Sequence, residues 1–302
     1  MKLVAVVSSY RPDASVHASI AAIRDDVEDV IVVDDGSGNE FDDLLDGVRD
    51  LGVEVIRLPV NAGLATALNT GCRRAFDELA ATHVMTFDQD TVPVGAYARQ
   101  LLEAERTALD AGLPVGLVGA GRINGATVRS TERVVEGISR AEEPIQSGLL
   151  IPARTWSRLG ELRDDLFIDC IDTEYALRGS SVGLLAVVAD AAELAHAIGT
   201  GHESNARRRS QISLHSALRQ YYMTRNRLTV YRMYGRQNVR WLLRSIALES
   251  RDLFRNVRYG TTPGLHLRAA ASGVAHALRH RLGRAPARLE SSLTHRVVGS
   301  DR

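Results

Sequence analysis

The chain has 302 residues, of which 45% are hydrophobic and 25% charged, and its 37 acidic residues match its 37 basic residues in number. This length suits one large domain, or a domain with an appendage, that can bury a core. No apolar run approaches the roughly 20 residues that span a bilayer, and the apolar start of the chain is too short for a secretory signal. These features exclude an integral membrane protein and predict a soluble or peripheral one.

The zero net charge conceals two differently charged parts. Residues 1–206 carry 33 acidic and 17 basic residues, whereas residues 207–302 carry 4 acidic residues and 20 arginines. We expect a main domain over 1–205, a basic helical extension over 206–283 and a disordered tail over 284–302. The two cysteines, Cys72 and Cys170, form no disulfide framework, so a cytoplasmic protein is expected.

In the first half of the chain, short β-branched runs alternate with helical periodicity, which predicts a parallel sheet built from βα units. The predicted strands are Leu3–Ser8, Asp29–Asp34, Val53–Leu58, Thr82–Phe87 and Val115–Ala120. The predicted helices are Val16–Arg24, Glu40–Leu51, Gly63–Leu79 and Gly95–Ala111. Farther on we predict a strand at Gln146–Pro152, a helix beginning near Asp172 and a helical pattern from Ser210 onward.

Polar residues follow the first four predicted strands. They are Ser8-Ser9-Tyr10-Arg11, Asp34-Asp35-Gly36-Ser37, Asn61-Ala62-Gly63 and Asp88-Gln89-Asp90. Ligands of open α/β sheets bind just beyond the carboxyl ends of the strands. We therefore expect these four clusters to line one nucleotide-sized crevice.

Two of these clusters suggest nucleotide recognition. A carboxylate at Asp34 or Asp35 can accept a hydrogen bond from a pyrimidine imide, with Gly36 allowing the tight turn; a solvated turn is the alternative. The small residues from Asn61 and Gly63 onward allow a helix N-terminus to approach a phosphorylated ligand, although close helix–sheet packing would use the same residues.

A metal site is the main hypothesis for Asp88 and Asp90. Two carboxylates one residue apart supply hard oxygen ligands for Mg²⁺ or Mn²⁺, which also take oxygens from substrate phosphates. Beyond a later apolar run, His196 is the candidate third ligand. The alternatives are an acidic turn and a structural histidine.

The segment from Phe167 to Arg178 holds the candidate general base. If a helix begins at Asp172, this carboxylate faces the crevice and can accept a proton from an incoming hydroxyl, while Glu174 pairs with Arg178 one turn later. The alternative is a capping aspartate beside a surface ion pair. Asp169 is the competing base.

Taken together and in this order, the motifs resemble the inverting glycosyltransferase family 2 of the GT-A fold, most closely its bacterial rhamnosyltransferase-like members. The resemblance covers roughly residues 2 to 235. It is carried by the four strand-end clusters, Gln146 through Ile151, Phe167 through Arg178, His196 through Gly199 and Arg219 through Asn226.

This resemblance implies an α/β fold, a Rossmann-like mixed sheet flanked by helices, with a C-terminal helical extension. It implies a nucleoside-diphosphate sugar donor, with Ser9, Tyr10, Arg11 and Asp34 or Asp35 near the nucleoside. Asp88, Gln89 and Asp90 would then lie near the ribose, the diphosphate and Mn²⁺ or Mg²⁺. The base would be Asp172, and the metal would stabilise the departing diphosphate.

The function expected from the resemblance is transfer of L-rhamnose from dTDP-β-L-rhamnose to a cell-surface polysaccharide or a lipid-linked glycan precursor. A nucleotidyltransferase is the alternative enzyme, but it would usually carry a glycine-rich, basic loop after the first strand, where this chain has Ser9 through Asp13. A non-catalytic sugar-nucleotide-binding subunit is the other alternative.

The arginine-rich C-terminal part has several interpretations. Arg219 and Arg225 could contact donor phosphates or a prenyl-linked acceptor, or could lie on a helix that packs through Tyr221 and Leu228. Farther on, an apolar helix face alternates with arginines at 240, 244, 251, 255 and 258. This pattern favours an anionic membrane surface at the inner face of the cell membrane over nucleic acid, because no groove-reading motif is present; a solvated helix pair is the third option.

Overall fold

The computed structural model describes residues 1–141, 143–196, 216–260 and 262–294. The chain divides into two compact units. The first comprises Met1–Asp164 and Ile171–Ala197, and the second comprises Asp165–Cys170 and Ile198–Arg302.

The first unit is built on an eleven-stranded sheet. Its strands are β1 (Leu3–Ser9), β2 (Asp29–Asp34), β3 (Glu54–Arg57), β4 (His83–Asp88), β5 (Thr91–Val94), β6 (Val115–Ile123), β7 (Ala126–Thr127), β8 (Arg133–Val135), β9 (Ile138–Arg140), β10 (Leu149–Pro152) and β11 (Leu185–His196). Its α-helices are α1 (Ser15–Arg24), α2 (Asp42–Arg49), α3 (Leu64–Arg73), α4 (Tyr97–Asp110), α5 (Ala153–Leu159) and α6 (Ile171–Ser181).

The strand order is β3-β2-β1-β4-β10-β6-β11-β9-β8, with β5 paired to β11 and β7 paired to β6. Strands β1 to β4 run parallel, while β10 runs antiparallel to β4. From β1 the chain passes to β2 and β3 on one side and then returns to β4 on the other. This is the topological switch point at which α/β sheets bind ligands, and the mixed sheet flanked by helices confirms the predicted fold class.

The core explains why the first strands are visible in the sequence. All seven residues of β1 are buried, and helices cover the sheet through side chains such as Ile20 and Leu101. Strands buried on both faces appear as continuous apolar runs rather than as alternating patterns. The predicted and observed bounds of β1, β2 and β4 accordingly agree to within one residue.

Two of the predicted elements that differ from the structure are the helix over Gly63–Leu79 and the strand over Gln146–Pro152. The single helix predicted over Gly63–Leu79 is an α-helix over Leu64–Arg73 followed by a π-helical turn over Arg74–Glu78, and Gly63, with φ of 99°, lies outside it. The strand predicted over Gln146–Pro152 begins only at Leu149. Residues Gln146 to Gly148 form a loop instead.

The described part of the second unit contains four α-helices: α7 (Ala217–Tyr234), α8 (Val239–Tyr259), α9 (Pro263–Leu278) and α10 (Ala287–Thr294). The prediction of disorder is wrong for residues 284–294, because α10 buries Leu293 and the Ala285 amide donates to the Tyr222 hydroxyl at 2.8 Å. Residues 295–302 lie outside the described part. No helix that the structure describes is both long and apolar enough to cross a membrane.

Candidate active site

The ends of β1 and β4 are joined by Gln89, the middle residue of Asp88-Gln89-Asp90. Its Oε1 accepts hydrogen bonds from the Ser9 hydroxyl and the Tyr10 amide, both at 2.9 Å, and its Nε2 donates to the Tyr10 carbonyl at 3.3 Å. The sequence predicts Gln89 and Ser9 as ligand-binding residues. In the structure they bind each other, and so fix the turn that presents the half-buried Asp88 and Asp90 at the switch point.

The loop before β10 lies alongside the end of β4. The Asp88 amide donates to the Ser147 hydroxyl at 3.0 Å, and this hydroxyl donates to Thr91 Oγ1 at 2.8 Å. The Thr86 hydroxyl donates to the Gln146 carbonyl at 2.6 Å. Ser147 is not among the predicted site residues, although it lies within Gln146 through Ile151, one of the segments that carry the family resemblance.

Gly148 allows this loop to approach α4 and β11 closely. Its φ is +76°, and a Cβ atom at this position would lie 2.4 Å from the Tyr97 hydroxyl oxygen and 2.5 Å from Leu194 Cδ1. Residues other than glycine adopt this left-handed conformation only at a cost. The loop geometry beside Asp88 therefore requires glycine here.

The same loop contacts Asp172. This residue lies in the first turn of α6, as predicted, and its Oδ2 accepts from the Gln146 amide at 3.1 Å while its Oδ1 accepts from the Thr173 amide at 2.7 Å. The Gln146–Ser147 dipeptide thus connects the candidate base to Asp88 by hydrogen bonds. The predicted pair one turn later is also present, with Arg178 donating to the buried Glu174 at 2.8 Å.

Asp35 binds two amides that the sequence assigns to a phosphorylated ligand. Its carboxylate accepts from the Ala62 amide at 2.7 Å and from the Gly63 amide at 2.9 Å, just before α3 begins. This carboxylate therefore neutralises the helix N-terminus from within the protein. The same turn needs Gly36, because a Cβ atom there would lie 2.3 Å from the Val60 carbonyl carbon.

Asp34 is fully buried and holds the same turn from its other side. Its carboxylate accepts from the Ser37 hydroxyl and from Arg57 Nε, the latter at 3.3 Å. Arg57 also binds Asp42. The hydrogen bonds to the two carboxylates raise the pKa of Arg57 despite the opposing effect of desolvation, and the bond to Asp42 has the larger effect. Asn61 follows β3 and is half-buried, and its backbone amide lies beside Gly36 in this turn.

Tyr10 and Arg11 are the exposed members of the first cluster. The Arg11 guanidinium lies 5.3 Å from the centre of the Tyr10 ring, and the Arg11 amide donates to the Ser37 hydroxyl at 2.7 Å. Arg11 has φ of 47°, a left-handed conformation that costs of order 1–3 kcal/mol for a residue with a side chain. Such strain concentrates at ligand-binding positions.

The predicted metal ligands are Asp88, Asp90 and His196, and the structure describes the side chains of the first two. Within the ranges that the structure describes, no three His, Cys, Asp or Glu side chains are grouped so that they could hold an ion. The side chain of His196 lies outside these ranges. Its backbone ends β11 opposite Thr91, the residue that follows Asp90.

In the second unit, Asp169 and Arg219 form an ion pair. Arg219 donates to Asp169 Oδ1 through Nε at 3.2 Å and through a terminal nitrogen at 3.0 Å. Arg225, which the sequence assigns to donor phosphates or the acceptor, is fully buried and donates to the carbonyls of Leu166 at 2.9 Å and Gly283 at 2.5 Å. That assignment of Arg225 is wrong, since its guanidinium is used to hold backbone.

Asn226 is a residue that sequence reasoning missed. Its side-chain amide nitrogen donates to the carbonyls of Leu166, Ile168 and Asp169 at 2.9, 2.6 and 3.0 Å, and its oxygen accepts from Arg225 Nε at 2.9 Å. The loop that it holds has positive φ at Phe167, Asp169 and Cys170. The loop before α6 is therefore strained and is kept in place by Asn226 and Arg225.

Comparison with known proteins agrees with this arrangement. Residues 5–115 match the profile of the family described as Glycosyl transferase family 2. The dTDP-rhamnosyl transferase RfbF of Shigella flexneri is 27% identical over 244 residues, which cover 76% of this chain and 79% of the relative.

Two solved structures share the fold. GalNAc-T7, in complex with UDP, GalNAc and Mn²⁺, has a TM-score of 0.59 at 12% identity over 92% of this chain, which spans 56% of that protein. The mannosyltransferase PcManGT from Pyrobaculum calidifontis, in complex with GDP-Man and Mn²⁺, has a TM-score of 0.54 at 16% identity. The similarity covers 97% of this chain and 78% of the PcManGT chain.

The matched profile covers β1 to β4 with Asp34, Asp35, Asp88 and Asp90, which is the half of the sheet that forms the switch point. The similarity to RfbF extends well beyond it, over most of both chains. The chain is a glycosyltransferase, similar to glycosyltransferase family 2 over residues 5–115 and to a bacterial dTDP-rhamnosyl transferase over most of its length.

Proposed function

We propose that this enzyme transfers L-rhamnose from dTDP-β-L-rhamnose to a hydroxyl group of a glycan, with inversion at the anomeric carbon. The observation that carries the proposal is the hydrogen-bonded path from Asp172 through Gln146 and Ser147 to Asp88. Through these hydrogen bonds, the candidate base Asp172 and the candidate diphosphate-site residue Asp88 are both attached to the loop that contains Gln146 and Ser147. The donor is supported by the similarity to a dTDP-rhamnosyl transferase.

Asp172 is proposed as the general base. As the acceptor oxygen bonds to the anomeric carbon, the bond from that carbon to the diphosphate breaks and the acceptor proton passes to the Asp172 carboxylate. The two amides on Asp172, from Gln146 and Thr173, orient the carboxylate before the acceptor arrives. Asp169 remains the competing base, but its Oδ1 is already engaged by Arg219.

Asp88 and Asp90 are proposed to hold Mn²⁺ or Mg²⁺, since a pair of half-buried carboxylates is a hard donor set. Such an ion, when bound, neutralises the charge of the departing diphosphate. The third ligand proposed is His196, whose backbone lies opposite Thr91. The Mn²⁺ in the complexes of GalNAc-T7 and PcManGT supports a divalent ion.

The nucleoside is proposed to bind against Tyr10 and Arg11. The exposed ring and guanidinium offer flat surfaces on which a pyrimidine can stack. Asp34 and Asp35 remain the proposed neighbours of the nucleobase of the donor. The hydrogen bonds that they accept keep the turns around Gly36, Asn61 and Gly63 in a fixed shape.

The acceptor is proposed to be a cell-surface polysaccharide or a lipid-linked glycan precursor, used in the cytoplasm at the inner face of the membrane. Arg219 is the proposed acceptor or phosphate contact in the second unit, because half of its side-chain surface remains exposed beside Asp169. Nucleic acid is not among the proposed partners.

A donor screen tests the proposal. Purified enzyme is incubated with Mn²⁺ or Mg²⁺, a prenyl-linked glycan acceptor and one donor at a time: dTDP-rhamnose, UDP-GlcNAc or GDP-mannose. We expect dTDP release to exceed release of the other nucleoside diphosphates by at least about a hundredfold in kcat/KM, as hydrogen-bonding sites discriminate against mismatched ligands. Turnover with another donor would refute the choice of rhamnose. Nucleotide binding without turnover of any donor would favour a non-catalytic subunit.

A further inference from the structure

Helix α8 of the second unit carries four exposed apolar side chains on one face. Val239, Leu243, Ile246 and Phe254 are 54%, 64%, 43% and 64% exposed. At 100° per residue they fall within an arc of about 80°, so they form one stripe along the helix. A helix on a globular protein normally turns such a stripe towards the core. In this protein the stripe instead faces solvent, and it forms one apolar surface along the helix.

The opposite face of α8 packs through polar groups. The Asn256 side-chain amide donates to Gln220 Oε1 at 2.8 Å, and Ser245 accepts from the Tyr231 hydroxyl at 2.9 Å. Trp241 lies edge-on to the Tyr231 ring at 5.5 Å. These directional contacts with α7 fix the rotation of α8. The apolar stripe cannot turn inward without breaking them.

A row of arginines runs along one edge of the stripe. Arg240, Arg251 and Arg258 are exposed, and Arg244 and Arg255 are half-buried; all five lie about 100–160° from Val239 around the helix axis. The two acidic residues of the helix are paired with arginines, Glu249 with Arg227 at 3.0 Å and Asp252 with Arg251 at 3.1 Å. Residues 216–294 contain 15 arginines and 3 acidic residues.

We propose that this face of α8 docks on an anionic lipid bilayer. Apolar side chains beside a row of cations match the boundary between acyl chains and negatively charged headgroups. A second copy of the chain matches less well, because it would bring two strongly basic surfaces together. Nucleic acid would leave the apolar stripe in water. Helix α9 offers a second stripe of exposed apolar residues, Leu267, Val274 and Leu278.

The consequence goes beyond the transfer reaction and does not depend on the identity of the donor. Binding through α8 would hold the enzyme at a membrane surface without a membrane-spanning helix. An acceptor carried on a lipid would then be confined to the same surface as the enzyme.

Vesicle flotation of the full chain tests the proposal. Vesicles of phosphatidylcholine with phosphatidylglycerol are compared with vesicles of phosphatidylcholine alone. We expect binding to the anionic vesicles that weakens with added salt, and little binding to the neutral ones. The double variant Leu243→Gln/Phe254→Gln should lower partitioning at least about tenfold, because two apolar side chains are withdrawn from lipid. A triple change of Arg240, Arg251 and Arg258 to Gln should lower it and remove most of the salt dependence.

The matched control is Leu109→Gln, which replaces a leucine on α4 of the first unit that is 41% exposed, against 64% for Leu243. It should leave flotation unchanged. Far-UV circular dichroism and turnover with a soluble acceptor should be unchanged in every variant, since the replaced side chains face solvent. These controls separate a failure of docking from a failure of the proposed transfer.

Three results would overturn the docking proposal. The first is equal binding to neutral and anionic vesicles, or none to either. The second is unchanged flotation of the Leu243→Gln/Phe254→Gln variant. The third is a dimer in solution that this variant dissociates while vesicle binding persists, which would assign the stripe to a second copy.

Discussion

Replacing Asp172 with Asn separates its proposed chemistry from its structural role. Asp172 accepts hydrogen bonds from the Gln146 amide at 3.1 Å and the Thr173 amide at 2.7 Å. The amide nitrogen of asparagine cannot accept, so one of these two bonds is lost. A hydrogen bond to a charged group contributes about 1.5–3 kcal/mol, which sets the expected loss in the free energy of unfolding.

The expected effect on catalysis is much larger than this structural cost. Loss of a general base lowers kcat about a hundred- to ten-thousand-fold. Donor affinity should change little, because the Asp172 side chain is proposed to face the acceptor hydroxyl. The measurements are kcat with dTDP-rhamnose, the Kd for dTDP by calorimetry, and urea denaturation to record the stability loss.

Asp169→Asn is the matched control, since it removes a carboxylate three residues away that pairs with Arg219. It should lower kcat far less than Asp172→Asn. The reasoning is refuted if Asp172→Asn keeps kcat within about tenfold of the wild type, a change that the lost hydrogen bond alone could produce. Loss of dTDP binding in Asp172→Asn would instead assign Asp172 to the donor site, and the reverse ranking of the two variants would make Asp169 the base.

Three further predictions concern stability. Asn226→Leu should lower the free energy of unfolding by about 3–5 kcal/mol in urea denaturation, because it removes the donor to three carbonyls and the acceptor of Arg225 Nε. A loss below about 1 kcal/mol, similar to that of Thr229→Val on the same helix, would contradict this. Gly148→Ala should cost about 2–4 kcal/mol, whereas Gly125→Ala, with the same sign of φ but no atom within 4 Å, should show the conformational cost alone. Burial would raise the pKa of Glu105, but hydrogen bonds and charges of His83 and Arg154 outweigh burial and lower this pKa. The charge of Glu105 therefore stabilises the fold fully above its unfolded pKa of about 4.5, and this stabilisation is lost as the pH falls through the lower folded pKa. In a plot of the free energy of unfolding against pH, Glu105→Gln should reduce the slope on the acid side. Glu103→Gln on the same helix should not.

The sequence predicts the half of the sheet whose strands are buried on both faces. β1, β2 and β4 are continuous apolar runs, and their ends are marked by Ser9, Asp34 and Asp88. β5, β8 and β9 have only three or four residues each, and β5 and β9 pair with β11, which lies far along the chain. A short strand of this kind is defined by its pairing, which local periodicity does not contain.

The residue types at the site are predictable, but their partners are not. Asp35 stands at a strand end as expected, yet the Ala62 and Gly63 amides that it binds follow 27 and 28 residues later. The partner of Gln89 is even harder to predict, because only the parallel pairing of β1 with β4 brings Gln89 to Ser9. The burial of Arg225 is the hardest of these features to predict, because arginine is usually exposed. Its guanidinium is stabilised in the interior by the carbonyl groups of Leu166 and Gly283, which lie 59 and 58 residues away in the chain.

Helix α8 shows why an amphipathic pattern does not by itself say which side faces inward. The spacing of Val239, Leu243 and Ile246 is compatible with a core-facing stripe as well as with the membrane-facing one expected from the neighbouring arginines, and burial in the core is the usual outcome. Asn256 and Ser245 decide otherwise, since their partners Gln220 and Tyr231 lie on α7 and directional hydrogen bonds leave only one rotation of α8. Apolar surface kept in water by polar contacts gains its stabilisation only when another apolar phase covers it. The arginine row beside the stripe is the reason for proposing an anionic membrane as that phase, and the flotation experiment, not a further stability measurement, is the test of this surface.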